Sequence, residues 1–148
     1  MKNVLILSVG NTGYSHMAEG YLNFYASEKA RIYNAGIDKH ALHPVAVEAM
    51  AEDNIDISLY TSQLYSATNT IKYDYIITIC NIPNKSIPSN LKWKKVYNFH
   101  ITDPITLDED QTATLNKFRV AREHIKKSIL HFIGKELYTQ THEEVSLA

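Results

Sequence analysis

Short apolar runs alternate along the chain with longer segments in which apolar residues recur at helical spacing. Four runs have the length and the β-branched or aromatic content of strands, and they cover residues 3–7, 31–34, 73–79 and 95–99. The run at 73–79 is almost wholly β-forming, which is typical of a central strand that is buried on both faces. The pattern therefore predicts four strands separated by helices or loops.

Amphipathic helices are predicted after each of the first two strands. The first helix begins near Ser15, and its apolar side chains share one face at spacings of four, seven and eight residues, namely Met17, Tyr21, Phe24 and Tyr25. The second begins at His43-Pro44, because proline suits the first turn of a helix, and it ends near Asn54. Its inward side chains are Val45, Ala49 and Met50.

The second half of the chain contains two polar connections and one long helix. The polar composition of residues 61–70 and the two prolines within residues 81–90 predict connecting loops. The first of these loops is long enough to include one helical turn. Asp108, with Gln111 three residues later, resembles a capping box that begins the final helix. The inward stripe of that helix is Leu115, Phe118, Ile125, Ile129 and Phe132. We therefore expect one domain over residues 1–133 and a polar, loosely held C-terminal tail over residues 134–148.

Strands separated by helices indicate βαβ units and a parallel sheet that is covered on both faces. The predicted fold is thus a three-layer α/β domain with a four-stranded parallel sheet. Ligands of such sheets bind beyond the carboxyl ends of the strands, where the strand order reverses. The loops that follow residues 7, 80 and 99 should therefore meet at one crevice.

Composition limits the classes of function. A chain of 148 residues with 45% hydrophobic content suits one compact domain. The formal net charge is −1 and no basic block stands out, so we expect no nucleic-acid partner. The apolar run near Met1 is too short for a signal or membrane-spanning segment, which favours a cytoplasmic protein that does not enter the membrane. With Cys80 as the single cysteine, neither an internal disulfide nor a cysteine-based zinc cage can form.

The strongest candidate site is the loop at residues 8–15, which joins the first strand to the first helix. A strand, a tight loop and a helix N-terminus aim several backbone N–H groups at one point, and that arrangement binds anions. Two glycines let the backbone fold around an anion, and Asn11 tolerates positive φ. The predicted anion-binding residues are Val9, Gly10, Asn11, Thr12, Gly13, Tyr14 and Ser15. The expected ligand is a phosphate-like or sulfate-like anion, or a phosphorylated protein.

Several motifs occur together in a recognisable order. Gly10-Asn11-Thr12 is followed by the stretch Ser15-His16-Met17-Ala18-Glu19-Gly20. Further matching segments are Ala35-Gly36, His43-Pro44, Ile55 to Ser58, Asp74 to Thr78, Asp103-Pro104 and Phe118-Arg119 with Arg122. On these motifs the chain resembles the low-molecular-weight protein tyrosine phosphatase superfamily, and most of all its arsenate-reductase branch.

The resemblance implies that the reactive groups of the loop have been replaced. Ser8 stands where the family has its nucleophilic cysteine, and Tyr14 stands where it has an arginine. A serine hydroxyl needs an adjacent base, whereas tyrosine lacks the cationic, bidentate fork of arginine. His16 is the nearest histidine, and we expect its ring to point outward and Tyr14 to point into the crevice. Asp103 matches the general acid of the family.

The resemblance therefore implies a degenerate, catalytically inactive homologue, a pseudoenzyme that still binds an anion. The alternative is an active phosphatase or related enzyme that uses Ser8 as the nucleophile or a water activated by Asp103. Cys80 corresponds to the first resolving cysteine of the arsenate reductases, while their second falls at Ile87. Their relay needs three thiols, so it cannot operate here. We interpret Cys80 as a small buried residue, with a reactive thiol as the lesser alternative.

Metal and cofactor chemistry have little support in the sequence. His40 and His43 lie three residues apart, but no third ligand with suitable spacing follows them. We therefore expect neither a metal nor a cofactor.

Overall fold

The computed structural model describes residues 1–9, 13–37, 41–61, 63–68, 70–79, 86–101 and 110–138. Its centre is a five-stranded parallel sheet in the order β3-β2-β1-β4-β5. The strands are β1 (Lys2–Ser8), β2 (Ala30–Gly36), β3 (Gln63–Leu64), β4 (Lys72–Ile79) and β5 (Lys92–Phe99). The predicted α/β class and parallel sheet are confirmed.

The sheet has one strand more than the sequence predicts. The additional strand, β3, consists of two residues that pair with Ala35 and Gly36 at the end of β2. Both β3 side chains are exposed, so no alternation of apolar and polar residues marks it. Its existence depends on pairing with β2 and not on a local pattern.

The chain has three α-helices within the described residues, and their ends follow local signals. They are α1 (Tyr14–Ala26), α2 (Pro44–Ala51) and α3 (Gln111–Phe132). Helix α2 is capped by His43, whose Nδ1 accepts a hydrogen bond from the Val45 N–H at 3.1 Å. The turn after α2 closes at Asn54, which has a φ of 60°. A short 3-10 helix at Tyr65–Thr68 provides the helical turn expected in that connection.

The prediction of the cap of α3 was wrong by two residues. The helix begins after Asp110, whose Oδ1 accepts a hydrogen bond from the Ala113 N–H at 2.7 Å. Asp108, the predicted cap, lies outside the described residues. The acidic run at residues 108–110 offers two capping carboxylates with the same local chemistry, and Asp110 is the one adjacent to the first helical turn.

Both faces of the sheet are covered, although unequally. One face packs with all three α-helices in a large apolar core that contains Val4, Ile6, Ile77, Phe118 and Phe132. A smaller cluster on the other face contains Leu5, Leu7 and Ile76 and is closed by Tyr65 together with residues 87–91. The predicted inward stripe of α3 is confirmed, with Leu115 half-buried and the other four residues buried.

One of the four side chains predicted to face inward from α1 lies outside the core. Met17 and Tyr21 are buried as expected, but Phe24 is 61% exposed. Phe24 lies in the last turn of α1, and its ring packs edge-on against Tyr25 at a centroid distance of 4.8 Å. Helical spacing alone does not show where along a helix the core ends.

The domain continues beyond the predicted boundary at residue 134. A π-helical segment, Ile133–Tyr138, extends α3, and its side chains Ile133 and Leu137 are buried. The Glu136 carboxylate accepts hydrogen bonds from Lys95 at 2.7 Å, from Tyr75 at 3.4 Å and from Tyr97. The expected tail therefore starts too early at residue 134, because these contacts hold the segment to the sheet. Residues 139–148 lie outside the described part.

No helix within the described ranges combines the length and the apolar character that crossing a membrane requires.

Candidate functional site

The candidate loop starts where the strand order reverses. Ser8 is the last residue of β1, which lies between β2 and β4 at the centre of the sheet. In the register of the sheet Ser8 lies beside Gly36, and its carbonyl accepts a hydrogen bond from the Ile37 N–H at 2.9 Å. Doubly wound sheets bind ligands beyond the carboxyl ends of their strands at such a point, which is where the loop after Ser8 begins.

Ser8 is buried, and no base among the described residues accepts a hydrogen bond from its hydroxyl. The residue is only 4% exposed, and its Oγ has no hydrogen-bond partner among the described residues. A serine nucleophile needs a base that accepts its proton, since the hydroxyl is otherwise a weak nucleophile. Nothing in the described surroundings of Ser8 provides one. The next residue, Val9, is half exposed and leads into the loop.

The other end of the loop is built around Gly13. This residue caps α1 with φ 80° and ψ −9°, a left-handed conformation, and makes no side-chain cap. A Cβ at this position would lie 2.9 Å from the Cβ of His43 and 3.0 Å from that of Ala46. Both the conformation and the space therefore demand glycine. The first-turn N–H groups of α1 have no acceptor within the helix, and no acidic side chain lies in that turn to repel an anion.

The expectation that Tyr14 points into the crevice is wrong. Tyr14 is 1% exposed, and its ring meets Phe118 of α3 edge-on at a centroid distance of 5.5 Å. As the first residue of α1, it shares the inward face with Met17 and Tyr21 at helical spacing. Its side chain therefore belongs to the core between α1 and α3, while its backbone N–H remains part of the helix N-terminus.

His16 is also placed differently from the expectation. Its ring is fully buried and does not point outward. The reason is that the start of α1 is buried around its whole circumference, since Ser15, Met17 and Ala18 are buried as well. In such a segment, sequence polarity is a poor guide to the direction of a side chain.

A half-buried carboxyl on α1 was not singled out from the sequence. Glu19 lies one turn after Ser15, and its Oε1 accepts a hydrogen bond from Asn34 Nδ2 of β2 at 3.0 Å. Burial raises the pKa of Glu19 to about 7, although the hydrogen bond from Asn34 acts in the opposite direction. The available signal was an acidic residue between the small residues Ala18 and Gly20, one turn after the predicted start of the helix.

Several predicted site residues lie outside the described residues. They are Gly10, Asn11 and Thr12 of the loop, together with His40, Cys80 and Asp103. Their proposed contributions stay predictions. Within the described ranges, no group of three or more histidine, cysteine or acidic residues could hold a metal ion. Of the predicted loop, the structure describes Ser8 and Val9 at the end of β1, and Gly13, Tyr14 and Ser15 at the start of α1.

Comparisons with known proteins agree with this architecture. A family model described as low molecular weight phosphotyrosine protein phosphatase matches residues 3–143. An arsenate reductase of Halalkalibacterium halodurans is 32% identical over 131 residues, which cover 88% of this chain and 94% of the relative. Arsenate reductase 1 of Staphylococcus epidermidis is 31% identical and covers 88% and 95% of the two chains. A solved structure described as an arsenate reductase in the phosphate binding state is 27% identical, with a TM-score of 0.68 over 91% of this chain and 98% of the other.

Proposed function

We propose, for a chain that belongs to the low molecular weight phosphotyrosine protein phosphatase family and resembles its arsenate-reductase branch, that the loop after β1 binds a phosphate-like anion. The ligand is a free anion or the phosphate of a phosphorylated protein in the cytoplasm. The bound group is not turned over by the family mechanism. The protein acts as a binding module in the fold of an enzyme.

The observation that carries the proposal is the environment of Ser8. Its buried hydroxyl ends the central strand at the position of the family nucleophile, with no base among the described residues in hydrogen-bond reach. The position of the family arginine is occupied by Tyr14, whose ring is committed to the contact with Phe118. These two environments support the proposal that neither residue supplies the chemistry of the family's cysteine or arginine.

The features that bind anions are independent of these two side chains. The N-terminus of α1 follows a left-handed Gly13, and its first turn carries no acidic residue. Backbone N–H groups and the helix dipole favour an anion at such a point. One structural relative is described as an arsenate reductase in the phosphate binding state, which makes phosphate the first ligand to test. Without an arginine charge we expect weak binding, with a Kd on the order of 1 mM.

The test combines binding with turnover. Calorimetry with phosphate, arsenate and sulfate should show weak binding to the full chain. Incubation with an aryl phosphate should release no phenol above the rate of a Ser8→Ala control. The control removes only the hydroxyl, so binding through backbone amides should persist in it.

Three other results would contradict the proposal, and each has its own interpretation. Hydrolysis that is lost in Ser8→Ala would establish an active enzyme with Ser8 as the nucleophile. Hydrolysis that survives Ser8→Ala but is lost in Asp103→Asn would point to a water activated by Asp103. An absence of anion binding at millimolar concentrations would overturn the binding proposal.

A further inference from the structure

We propose that the end of the molecule at which the parallel strands begin binds the surface of a membrane that contains anionic phospholipids. The protein lies on this surface and does not enter the hydrocarbon core. The loop after Ser8 lies at the opposite end of β1, so the inference does not depend on the function proposed for that loop. Two features carry it, namely a row of basic side chains and the exposed aromatic side chains beside them.

Each of the four long strands carries a basic residue at its start. Lys2, Lys72 and Lys92 are the first residues of β1, β4 and β5, and Arg31 is the second residue of β2. Because the strands are parallel, these four residues, here called the basic row, lie along the same end of the sheet. They span roughly 14 Å from β2 to β5, since neighbouring strands lie about 4.8 Å apart.

The charges of the basic row are available to a ligand. Arg31, Lys72 and Lys92 are exposed, and Lys2 is half-buried. Within the described part of the chain, none of the four forms a salt bridge. Lys2 is close enough to Asp74 for a long-range attraction, which stops short of a salt bridge.

The two acidic residues beside the basic row have basic neighbours of their own. Asp74 lies 3.2 Å from Lys94 Nζ and accepts a hydrogen bond from the Asn3 N–H at 2.8 Å. Glu28, which is exposed before β2, is followed directly by Lys29. The basic row therefore remains as an excess of positive charge at this end, although the formal net charge of the chain is −1.

Exposed aromatic side chains lie at the same end of the molecule. Trp93 follows Lys92 at the start of β5 and is 37% exposed. Phe24, in the last turn of α1, is 61% exposed. The chain after α1 returns to the start of β1, where the Lys2 N–H donates a hydrogen bond to the Lys29 carbonyl at 3.0 Å. Basic residues with aromatic neighbours are typical of protein surfaces that lie in the interface of a membrane.

This combination favours a membrane over other anionic partners. A membrane surface presents many negative charges above an apolar layer, which match the basic row and the aromatic side chains in turn. A nucleic acid duplex presents its phosphates without an accessible apolar layer, so Trp93 and Phe24 would gain little from it. An acidic protein segment satisfies the charges but does not require exposed aromatic side chains.

The test uses the full chain with vesicles of phosphatidylcholine, either alone or mixed with phosphatidylserine. Cosedimentation should show binding to the mixed vesicles at least about tenfold stronger than to phosphatidylcholine alone, because each basic residue near an anionic surface strengthens binding about fivefold. Added salt should weaken the binding, since it screens the charges. Trp93 is the single tryptophan of the chain, so its fluorescence should shift to shorter wavelength when this end meets the vesicle.

Charge variants locate the surface. Lys92→Glu should weaken binding to the mixed vesicles about tenfold or more, because it removes an attraction and adds a repulsion. Lys127→Glu is the matched control, since it makes the same charge change at an exposed position of α3 that shares a groove with Phe99, the last residue of β5. It should change binding less than about twofold.

An apolar variant tests the aromatic contribution. Phe24→Ala should weaken binding about threefold or more, because the ring no longer enters the interface. Val120→Ala should leave binding unchanged. Val120 is 62% exposed, and it lies on α3 near Phe118, which contacts Tyr14 at the other end of α1.

Four results would overturn the proposal. They are an absence of binding to the mixed vesicles, binding without a shift of the Trp93 emission, and equal effects of Lys92→Glu and Lys127→Glu. The fourth is binding of duplex DNA or of polyglutamate that is as strong as vesicle binding at the same salt concentration, which assigns the basic row to a nucleic acid or to an acidic protein.

Discussion

Gly13 is the residue on which the geometry of the candidate site depends most directly. Its left-handed conformation starts α1, and the space above its Cα is taken by side chains of α2 and α3. Both the shape of the loop and the packing of the helices therefore depend on Gly13. A side chain there would disturb both the anion-binding geometry and the docking of the two helices.

Gly13→Ala should destabilise the protein by about 1–3 kcal/mol, because alanine is strained at positive φ and its Cβ would overlap His43 and Ala46. Urea unfolding followed by circular dichroism measures the change. Gly134→Ala is the matched control, since no atom lies within 4 Å of its added Cβ. Equal stability of the two variants would contradict the role assigned to Gly13.

Glu19 makes stability depend on pH in an unusual direction. In the unfolded chain a glutamate loses its proton near pH 4.5, whereas the folded protein holds the Glu19 proton up to about pH 7 because of burial. Between these values the unfolded state binds fewer protons than the folded state. Stability is therefore fully present below about pH 4.5 and falls as pH rises toward 7.

Glu19→Gln should remove this part of the pH dependence and stabilise the protein at pH 8 by roughly 2 kcal/mol. The glutamine carbonyl can still accept the hydrogen bond from Asn34. Urea unfolding between pH 5 and 8 measures the slope. Glu28→Gln, at an exposed position after α1, should leave the slope unchanged. A slope that persists in Glu19→Gln would assign it to another group.

At the scale of elements, the last helix is secured to the sheet at its far end. Glu136 of the π-helical segment accepts hydrogen bonds from Tyr75 on β4 and from Lys95 and Tyr97 on β5. Phe132, one turn earlier, packs edge-on against the rings of Tyr75 and Tyr97 at 5.2 and 5.1 Å. One carboxylate thus joins three elements.

Glu136→Ala should destabilise the protein by about 1–3 kcal/mol, because two partly buried tyrosine hydroxyls lose their acceptor. Hydrogen exchange should become faster at residues 133–138 while remaining slow in β1. Glu123→Ala, which removes an exposed ion pair on the same helix, should cost less than about 1 kcal/mol. Unchanged exchange at residues 133–138 would show that apolar packing alone holds the segment.

At the scale of the whole molecule, Tyr14 connects the site to the core. Its backbone belongs to the helix N-terminus, and its ring fills space between α1 and α3. An arginine here would have to leave that space in order to reach the crevice. A substitution of Tyr14 by arginine should therefore affect stability as well as chemistry.

Ser8→Cys with Tyr14→Arg should recover some hydrolysis of an aryl phosphate if the loop keeps its shape, since it restores the thiol and the cationic fork. Tyr14→Arg alone should destabilise the protein by about 2–4 kcal/mol through loss of core packing. Enzyme assays and urea unfolding measure the two effects. Tyr14→Phe, which keeps the ring and removes only the hydroxyl, should cost less stability than Tyr14→Arg. A folded double variant without activity would show that the loop no longer forms a catalytic cradle.

Features that depend on neighbouring residues in the chain could be predicted from the sequence, and features that depend on contacts between distant segments could not. Periodicity and β propensity are local, so the positions of β1, β4 and the long helix α3 were evident from the chain. The same holds for the presence of serine at position 8 and tyrosine at position 14, because residue types are visible without coordinates. The two-residue strand β3 was not evident, since only pairing with β2 defines it.

The sequence by itself determined the α/β architecture, the strand–loop–helix unit at residues 8–15 and the absence of cysteine and arginine from that loop. Only the tertiary structure decided that Tyr14 lies against Phe118, that His16 is buried and that Glu19 titrates near neutral pH. The physical reason is that composition and spacing act between neighbours in the chain. The direction of a side chain and the pKa of a carboxyl depend instead on groups that packing brings together from distant segments.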